Sequence, residues 1–289
     1  MSGSARYVRR LANALSFNGH FPWPRSLARR LYRHAKGIER IENFDSDLSM
    51  DLSLSEHMQR RIFWMGYYSE DVIRVIKQRL RPGMTFVDIG ANIGEVSLVA
   101  AKIVGPQGHV LAFEPVDTLA DRLQEHTNRN GLQHVRVVRM GLSDHDGTAV
   151  IYDSCGQGEA NDEHQGLSSL FGDPSRNAAL QTIELGCLDT FLSEPELERV
   201  DLIKIDIEGG ELTCLRGAES LLRKHRPALI VEIQSESARR AGYRPEDILN
   251  FLSVLGYEFH TIAAQGELRP LTAATLKPFQ NVLCLAPQH

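Results

Sequence analysis

The stretch FVDIGANIG, residues 86–94, decides the fold. Phe86, Val87 and Ile89 suit a buried strand. A carboxylate at Asp88 and glycines at Gly90 and Gly94 suit such a strand only where something must come close to its end. Glycine allows a tight turn and leaves no Cβ in the way. A helix beginning near Ile93 would turn its free N–H groups and the positive end of its dipole toward the same spot.

Outward from that stretch, strands and helices alternate. Upstream, Val72, Val75, Ile76 and Leu80 fall at helical spacing from about Ser69, and Pro82-Gly83 stops the helix. Downstream come a helix over 93–104, the strand HVLAFEP, a helix over 117–130 and the strand VRVVRM. TAVIYD predicts an extra strand, followed by a 26-residue loop, 154–179, rich in Gly, Ser, Asp and Asn. Loops of that length are usually functional or disordered. Alternation returns with VDLIKID, a helix over 211–223, PALIVEI, a helix over 245–255 and YEFHTIA, and the chain closes on NVLCLAP. Near-continuous apolar strands between amphipathic helices predict a mainly parallel sheet covered on both faces. Ligands of such sheets bind beyond the carboxyl ends of the strands, where the strand order reverses.

The strand ends carry the chemistry. Glu114 ends the second strand, 24 residues after Gly90, where a carboxylate can accept from both ribose hydroxyls of a nucleoside. A dinucleotide fingerprint would place glycine where Asn92 stands. Acid-x-G-x-N-x-G instead resembles the first motif of class I S-adenosylmethionine (SAM)-dependent methyltransferases, whose cofactor has no phosphate to cradle. After the third strand, Leu142 would face adenine and Ser143 or Asp144 would meet its amine, or MGLSD is a plain turn. LIKIDIEGGE, residues 202–211, sets Lys204 and Asp206 one strand period apart, with Glu208 and Glu211 around Gly209-Gly210. Glu232 ends the next strand. So much charge is costly to bury unless it pairs or does chemistry. Lys204 with Asp206 or Glu232 is either a structural ion network, or Asp206, Glu208 or Glu232 takes a proton from the group being alkylated.

FVDIGANIG, FEP, GLSSL, LDTF, VDLIKIDIEGGELTCLRGA, PALIVEI and QNVLCLAP, in this order, resemble the FkbM family of methyltransferases from about residue 62 onward. The resemblance implies a Rossmann-like class I methyltransferase fold, its mainly parallel sheet ending in a C-terminal antiparallel hairpin. It implies SAM as donor and O-methylation of a hydroxyl on a sugar, glycoconjugate or polyketide-type natural product. Asp88, Gly90, Asn92, Gly94, Glu114, Leu142 and Ser143 would then hold the cofactor. Asp206, Glu208 and Glu232, oriented by Lys204, would supply the base. Ser168, Ser169 and Glu211 would meet the acceptor, with Leu170 and Phe171 excluding water. Phe63, Trp64, Tyr67 and Tyr68 would cap the same pocket or simply pack. His145 and His164 are loop histidines, either bases or solvated side chains.

Residues 1–60 match no family pattern and read as a basic N-terminal extension before a methyltransferase domain over 61–289. Nine Arg/Lys against Glu39 alone give residues 1–40 a balance of +8, so the remainder of a chain at −5 carries −13. SLARRLYRH reads as an exposed helix, its arginines either solvated or meeting an anionic substrate, a partner or a membrane surface. Basic residues are not gathered around the strand ends as nucleic-acid binding requires. There is also neither an N-P-P-[YF] motif nor a Pro-Cys nucleophile, so a nucleic-acid methyltransferase is a weaker reading, as are a dinucleotide-dependent oxidoreductase and a non-catalytic scaffold. The composition, 42% hydrophobic and 24% charged, is that of a globular protein. No run approaches the roughly 18 apolar residues of a membrane span, and the opening residues lack a signal peptide's apolar run. Cys155, Cys187, Cys214 and Cys284 form no CxxC pair, so a reducing, cytoplasmic setting is expected, and nothing in the spacing demands a metal.

Overall fold

The computed structural model describes residues 2–15, 23–153, 168–171, 179–194, 197–263 and 267–287. They fall into two compact units that divide between Glu70 and Asp71.

The N-terminal unit holds helices α1 (Ser2–Leu15) and α2 (Trp23–Leu31), an antiparallel pair β1 (Ile38–Phe44) and β2 (Leu48–Ser53), and α3 (His57–Met65). Residues 40–60 thus hold a hairpin and the start of a helix. In β2 only Leu48, Met50 and Leu52 point inward, the period-two pattern of a half-buried strand. In β1 one inward position is Glu39, which pairs with Arg6 of α1 at 2.9 Å. Arg9 anchors α1 by donating to the Phe63 carbonyl at 2.5 Å and to Asn43 Oδ1 at 2.8 Å. Phe63 and Trp64 are buried and meet edge to face at 4.9 Å, while the Tyr67 hydroxyl donates to Asp45. These aromatics pack the core of their own unit.

The second unit begins with α4 (Glu70–Arg79) and then alternates β3 (Thr85–Ile89), α5 (Glu95–Val104), β4 (His109–Phe113), α6 (Asp117–Arg129) and β5 (Val135–Val138). A small sheet follows, made of β6 (Gly141–Leu142), β7 (Gly147–Asp153), β8 (Ser168–Ser169) and β9 (Ala179–Gly186) in the order β6-β9-β7-β8. The chain returns through β10 (Leu202–Ile205), α7 (Glu211–Arg216), α8 (Glu219–His225), β11 (Ala228–Gln234), α9 (Ser235–Arg240) and α10 (Pro245–Val254). It closes with β12 (Glu258–Ile262), β13 (Leu268–Pro270) and β14 (Phe279–Leu285).

The main sheet runs β13-β12-β14-β11-β10-β3-β4-β5. Strands β11, β10, β3, β4 and β5 are parallel, and β14 runs antiparallel between β11 and β12, as the expected C-terminal hairpin requires. The chain leaves β3 toward β5 and returns to β10 at the other side of β3, so the order reverses between β3 and β10. Val87, Ile89, Ile203, Ile205, Leu229 and Val231 fill one sheet face against Leu212, Leu215, Leu221 and Leu252. The other face carries Phe86, Asp88 and Lys204.

Two boundaries differ from the sequence expectation. The helix expected over 211–223 is two helices that break at Gly217, where the Ser143 carbonyl comes so close that a Cβ would stand 1.9 Å from its oxygen. The loop expected over 154–179 is interrupted by β8, which pairs with β7, and it ends as β9 begins at Ala179. Of that loop, residues 154–167 and 172–178, with His164, lie outside the described residues.

Candidate active site

Parallel register sets the site. Lys204 lies beside Asp88, and Ile205 beside both Ile89 and Val231. One residue further on, Gly90, Asp206 and Glu232 therefore stand side by side at the carboxyl ends of β3, β10 and β11, on the face that carries Lys204.

Asp88 is 0% exposed, its Oδ2 accepting from the Ser97 hydroxyl of α5 at 2.6 Å. Burial pushes this carboxyl upward, opposed by the Lys204 ammonium and the Ser97 hydroxyl. Lys204 Nζ donates to the Gly90 carbonyl at 2.8 Å and lies 3.4 Å from Asp206 Oδ2 and 3.5 Å from Asp88 Oδ1. Burial works against the ammonium, but the carboxylates of Asp206 and then Asp88 outweigh it and raise its pKa. Lys204 is thus a buried cation that ties the turn after β3 to the end of β10.

The turn after β3 is shaped by the protein's own backbone. Gly90 has φ +77, and a Cβ there would stand 1.9 Å from the Asp206 carbonyl oxygen. Gly94 has φ +94, and a Cβ there would stand 2.4 Å from Leu123 of α6. Between them Asn92 is left-handed at φ +51. Glu114 secures the turn, one carboxylate oxygen accepting from Asn92 N at 2.8 Å and the other from Val116 N at 2.9 Å. Each oxygen keeps a further lone pair. Burial lifts Glu114 to about 7 against those two backbone bonds. Leu142 and Ser143 are buried at the start of the small sheet, with the Ser143 amide donating to the Gly186 carbonyl.

Replacing Gly90 by alanine is expected to cost about 3 kcal/mol or more, since the clash is with main chain that cannot rotate away. Gly131 has φ +67 but open space around it, so Gly131→Ala should cost only about 1 kcal/mol of left-handed strain. Denaturant unfolding of the two variants measures the difference. Equal costs would mean that Gly90 is not pinned against Asp206.

The turn after β10 carries the acids. Glu208 is left-handed at φ +53, a conformation costing a non-glycine residue of order 1–3 kcal/mol. Its Oε2 accepts from the Ser237 hydroxyl at 3.0 Å, and Ser237 is also held by Gln234 and by Arg240 at 3.1 Å. Burial, and then the charges of Asp206 and Glu211, raise Glu208 to about 7 despite Ser237. Glu232 feels burial first, then Asp206 and Glu208, and is pushed up to about 10 against the pull of Lys204. At neutral pH it keeps its proton.

Glu211, expected at the acceptor, is turned inward and buried. Its oxygens accept from Gly209 N at 3.1 Å and from the Tyr243 hydroxyl at 2.8 Å, so it closes the turn that carries Glu208. A Cβ on Gly209 would stand 3.1 Å from Phe171 Cδ2, which brings the end of GLSSLF to this turn. Ser168 and Ser169 pair by their backbone with Asp153 and Tyr152. His145 is exposed and bonded to Asp144 at 2.8 Å. Ser97, Gln234, Ser237, Arg240 and Tyr243 were not singled out from the sequence, although Gln234 and Ser237 follow a strand end and the strand-end rule would have found them.

A cleft of about 480 Å³ opens where the strands begin, lined by Arg79, Met84, Asp201 and Arg226 among others. It lies at the opposite edge of the sheet from Asp206, Glu208 and Glu232.

The glycine turn after β3 and the acidic turn after β10 thus face each other where the strand order reverses, in a mainly parallel Rossmann-like sheet. Residues 88–259, more than half of the chain, match the methyltransferase FkbM domain, and the chain belongs to that family. The matched domain is a methyltransferase domain with SAM as donor. The hexuronic acid methyltransferase AglP of Haloferax volcanii is 29% identical over 184 residues, 64% of this chain and 67% of that protein. The 2-O-methyltransferase NoeI of Sinorhizobium fredii is 28% identical over 155 residues, covering 50% of this chain and 62% of that protein. The AMB antimetabolite synthetase AmbE of Pseudomonas aeruginosa is 27% identical over 72% of this chain, which spans 11% of the synthetase.

Proposed function

We propose that this chain methylates a hydroxyl of a sugar, glycoconjugate or polyketide-type natural product. The observation that carries the reading is the pairing of a donor turn with an acidic turn through one buried lysine. Lys204 bonds the Gly90 carbonyl and faces Asp206, so one side chain reaches both halves of the site. Relatives named for hexuronic acid and for 2-O-methylation support a sugar hydroxyl as acceptor.

Gly90, Asn92 and Gly94 would leave backbone room for the donor, Glu114 would accept from its ribose, and Leu142 and Ser143 would border its base. Asp88 acts behind them, by holding Lys204 and Ser97. When bound, SAM supplies a methyl group on a positively charged sulfur. The chain's task is to place a hydroxyl in line and remove its proton. Positioning can contribute roughly 7–11 kcal/mol, and a general base about 10²–10⁴-fold in rate.

Glu208 is the base in this scheme. Its pKa of about 7 suits proton transfer near neutrality, and it sits in a left-handed turn just past the strand end that Glu211 closes. Glu232, held protonated by burial and by its acidic neighbours, would offer a hydrogen bond to the acceptor. Phe171 would shield the acceptor from water, with Ser168 and Ser169 on the same segment.

Incubation with SAM and a panel of uronic acid, neutral sugar and polyketide glycosides tests this. The expected result is S-adenosylhomocysteine release that requires a free acceptor hydroxyl, with the methyl ether located by mass spectrometry. Methyl transfer to a nitrogen, or to RNA with every glycoside untouched, would overturn the reading.

A further inference from the structure

The N-terminal unit displays two matching apolar stripes. On α1, Tyr7, Leu11 and Leu15 are spaced four apart and are 65%, 46% and 60% exposed. On α2, Trp23, Leu27 and Leu31 repeat the spacing at 64%, 50% and 71%. Residues four apart lie on one helix face. In α1 the inward face is made by Ala5, Ala12 and Arg9, and in α2 by Pro24 and Ala28. The stripes are therefore second faces, beyond those that pack the unit.

Arginines border both. By helical spacing the stripe of α1 lies between its buried face and Arg10, and that of α2 between its buried face and Arg30. Arg6 is matched by Glu39, the sole acid of residues 1–40, so the rest of the segment's charge stays unneutralised from within it. Leucines with a Trp and a Tyr on one side, and arginines at their edge, are the composition of a helix lying in a bilayer interface. Among the described residues no helix is long and apolar enough to cross a membrane, so such helices would lie on the surface.

We infer that α1 and α2 dock the N-terminal unit onto an anionic lipid surface. The stripes enter the boundary between headgroups and acyl chains, and Arg10 and Arg30 meet the lipid phosphates. Charge selects the occupant: segment 1–40 at +8 is drawn to an anionic surface, whereas the remainder at −13 is not.

Sedimentation of the full chain with vesicles of phosphatidylcholine, with and without phosphatidylglycerol, tests this. Binding should need phosphatidylglycerol and be lost in high salt. Arg10→Gln and Arg30→Gln should each weaken it about fivefold. Leu11→Ser combined with Leu27→Ser should weaken it roughly tenfold or more. Trp64 is already buried, so a blue shift of tryptophan emission on binding should come from Trp23 and vanish in Trp23→Phe. Unchanged thermal unfolding would show that the variants keep their fold. Absent vesicle binding, or binding indifferent to all four exposed positions, overturns the inference. So would lipid-free self-association that Leu27→Ser abolishes, with no vesicle binding, since the stripes would then join two copies of the chain.

Discussion

Lys204→Met should lower folding stability by about 3–5 kcal/mol at neutral pH, because it strips a buried carboxylate of its cation. Asp88 would be left at 0% exposure with the Ser97 hydroxyl as its remaining polar contact of note. The Gly90 carbonyl would lose its 2.8 Å donor, and Asp206 its nearby charge. In a chain of this size the fall in Tm would be on the order of 10 °C. The pH dependence carries the diagnosis. Without Lys204, Asp88 is driven further above its unfolded pKa, so the folded state binds a proton that the unfolded state has released. Such a group destabilises increasingly as pH rises above the unfolded pKa, and the penalty disappears as pH falls toward about 4. The variant should therefore approach wild-type stability in acid. Asp88→Asn combined with Lys204→Met should recover much of the loss at neutral pH, since the double variant buries no charge at that position. Chemical denaturation at several pH values tests all three arms. A single variant as stable as wild type, or a double variant no better than the single, would mean that the lysine does not hold the two turns together.

That network was partly legible in the sequence. Lys204 and Asp206 one period apart on an apolar strand, with Glu232 ending the next, point to one sheet edge. Asp88 as a buried partner of Lys204 required knowing that β10 returns beside β3, which is register information that no local pattern contains. The glycines illustrate the same limit. Gly90 and Gly94 read in the sequence as room for a ligand, and the register adds a second demand that no local pattern contains, since a side chain on either would meet Asp206 or Leu123. Glu211 looked like a site acid because it follows Glu208 by three residues. Only the fold of the turn shows that its oxygens meet Gly209 and Tyr243. In the N-terminal unit, β2 had a readable alternation at Leu48, Met50 and Leu52. Its partner β1 hid its inward face because Glu39 is buried there by a distant arginine.

The second large effect lies at Glu208. If it takes the proton from the acceptor, kcat/KM should rise with pH through about 7, the value set by burial and by the charges of Asp206 and Glu211. The sign follows from the role: a base works when deprotonated, and kcat/KM reports the ionisation of the free enzyme. Glu208→Gln should lower turnover about 10²–10⁴-fold and flatten that limb. Asp206→Asn removes a neighbouring negative charge, which makes ionisation of Glu208 easier and should move the limb to lower pH. Glu232→Gln mimics a side chain that is already protonated, so its turnover should stay within a few-fold of wild type with the limb near its original place. The three profiles separate the acids because Glu208 ionises near 7, Glu232 well above it, and Asp206 enters through its charge on Glu208. A limb that survives Glu208→Gln and is lost in Asp206→Asn would move the base one period back along the strand, to the carboxylate that faces Lys204.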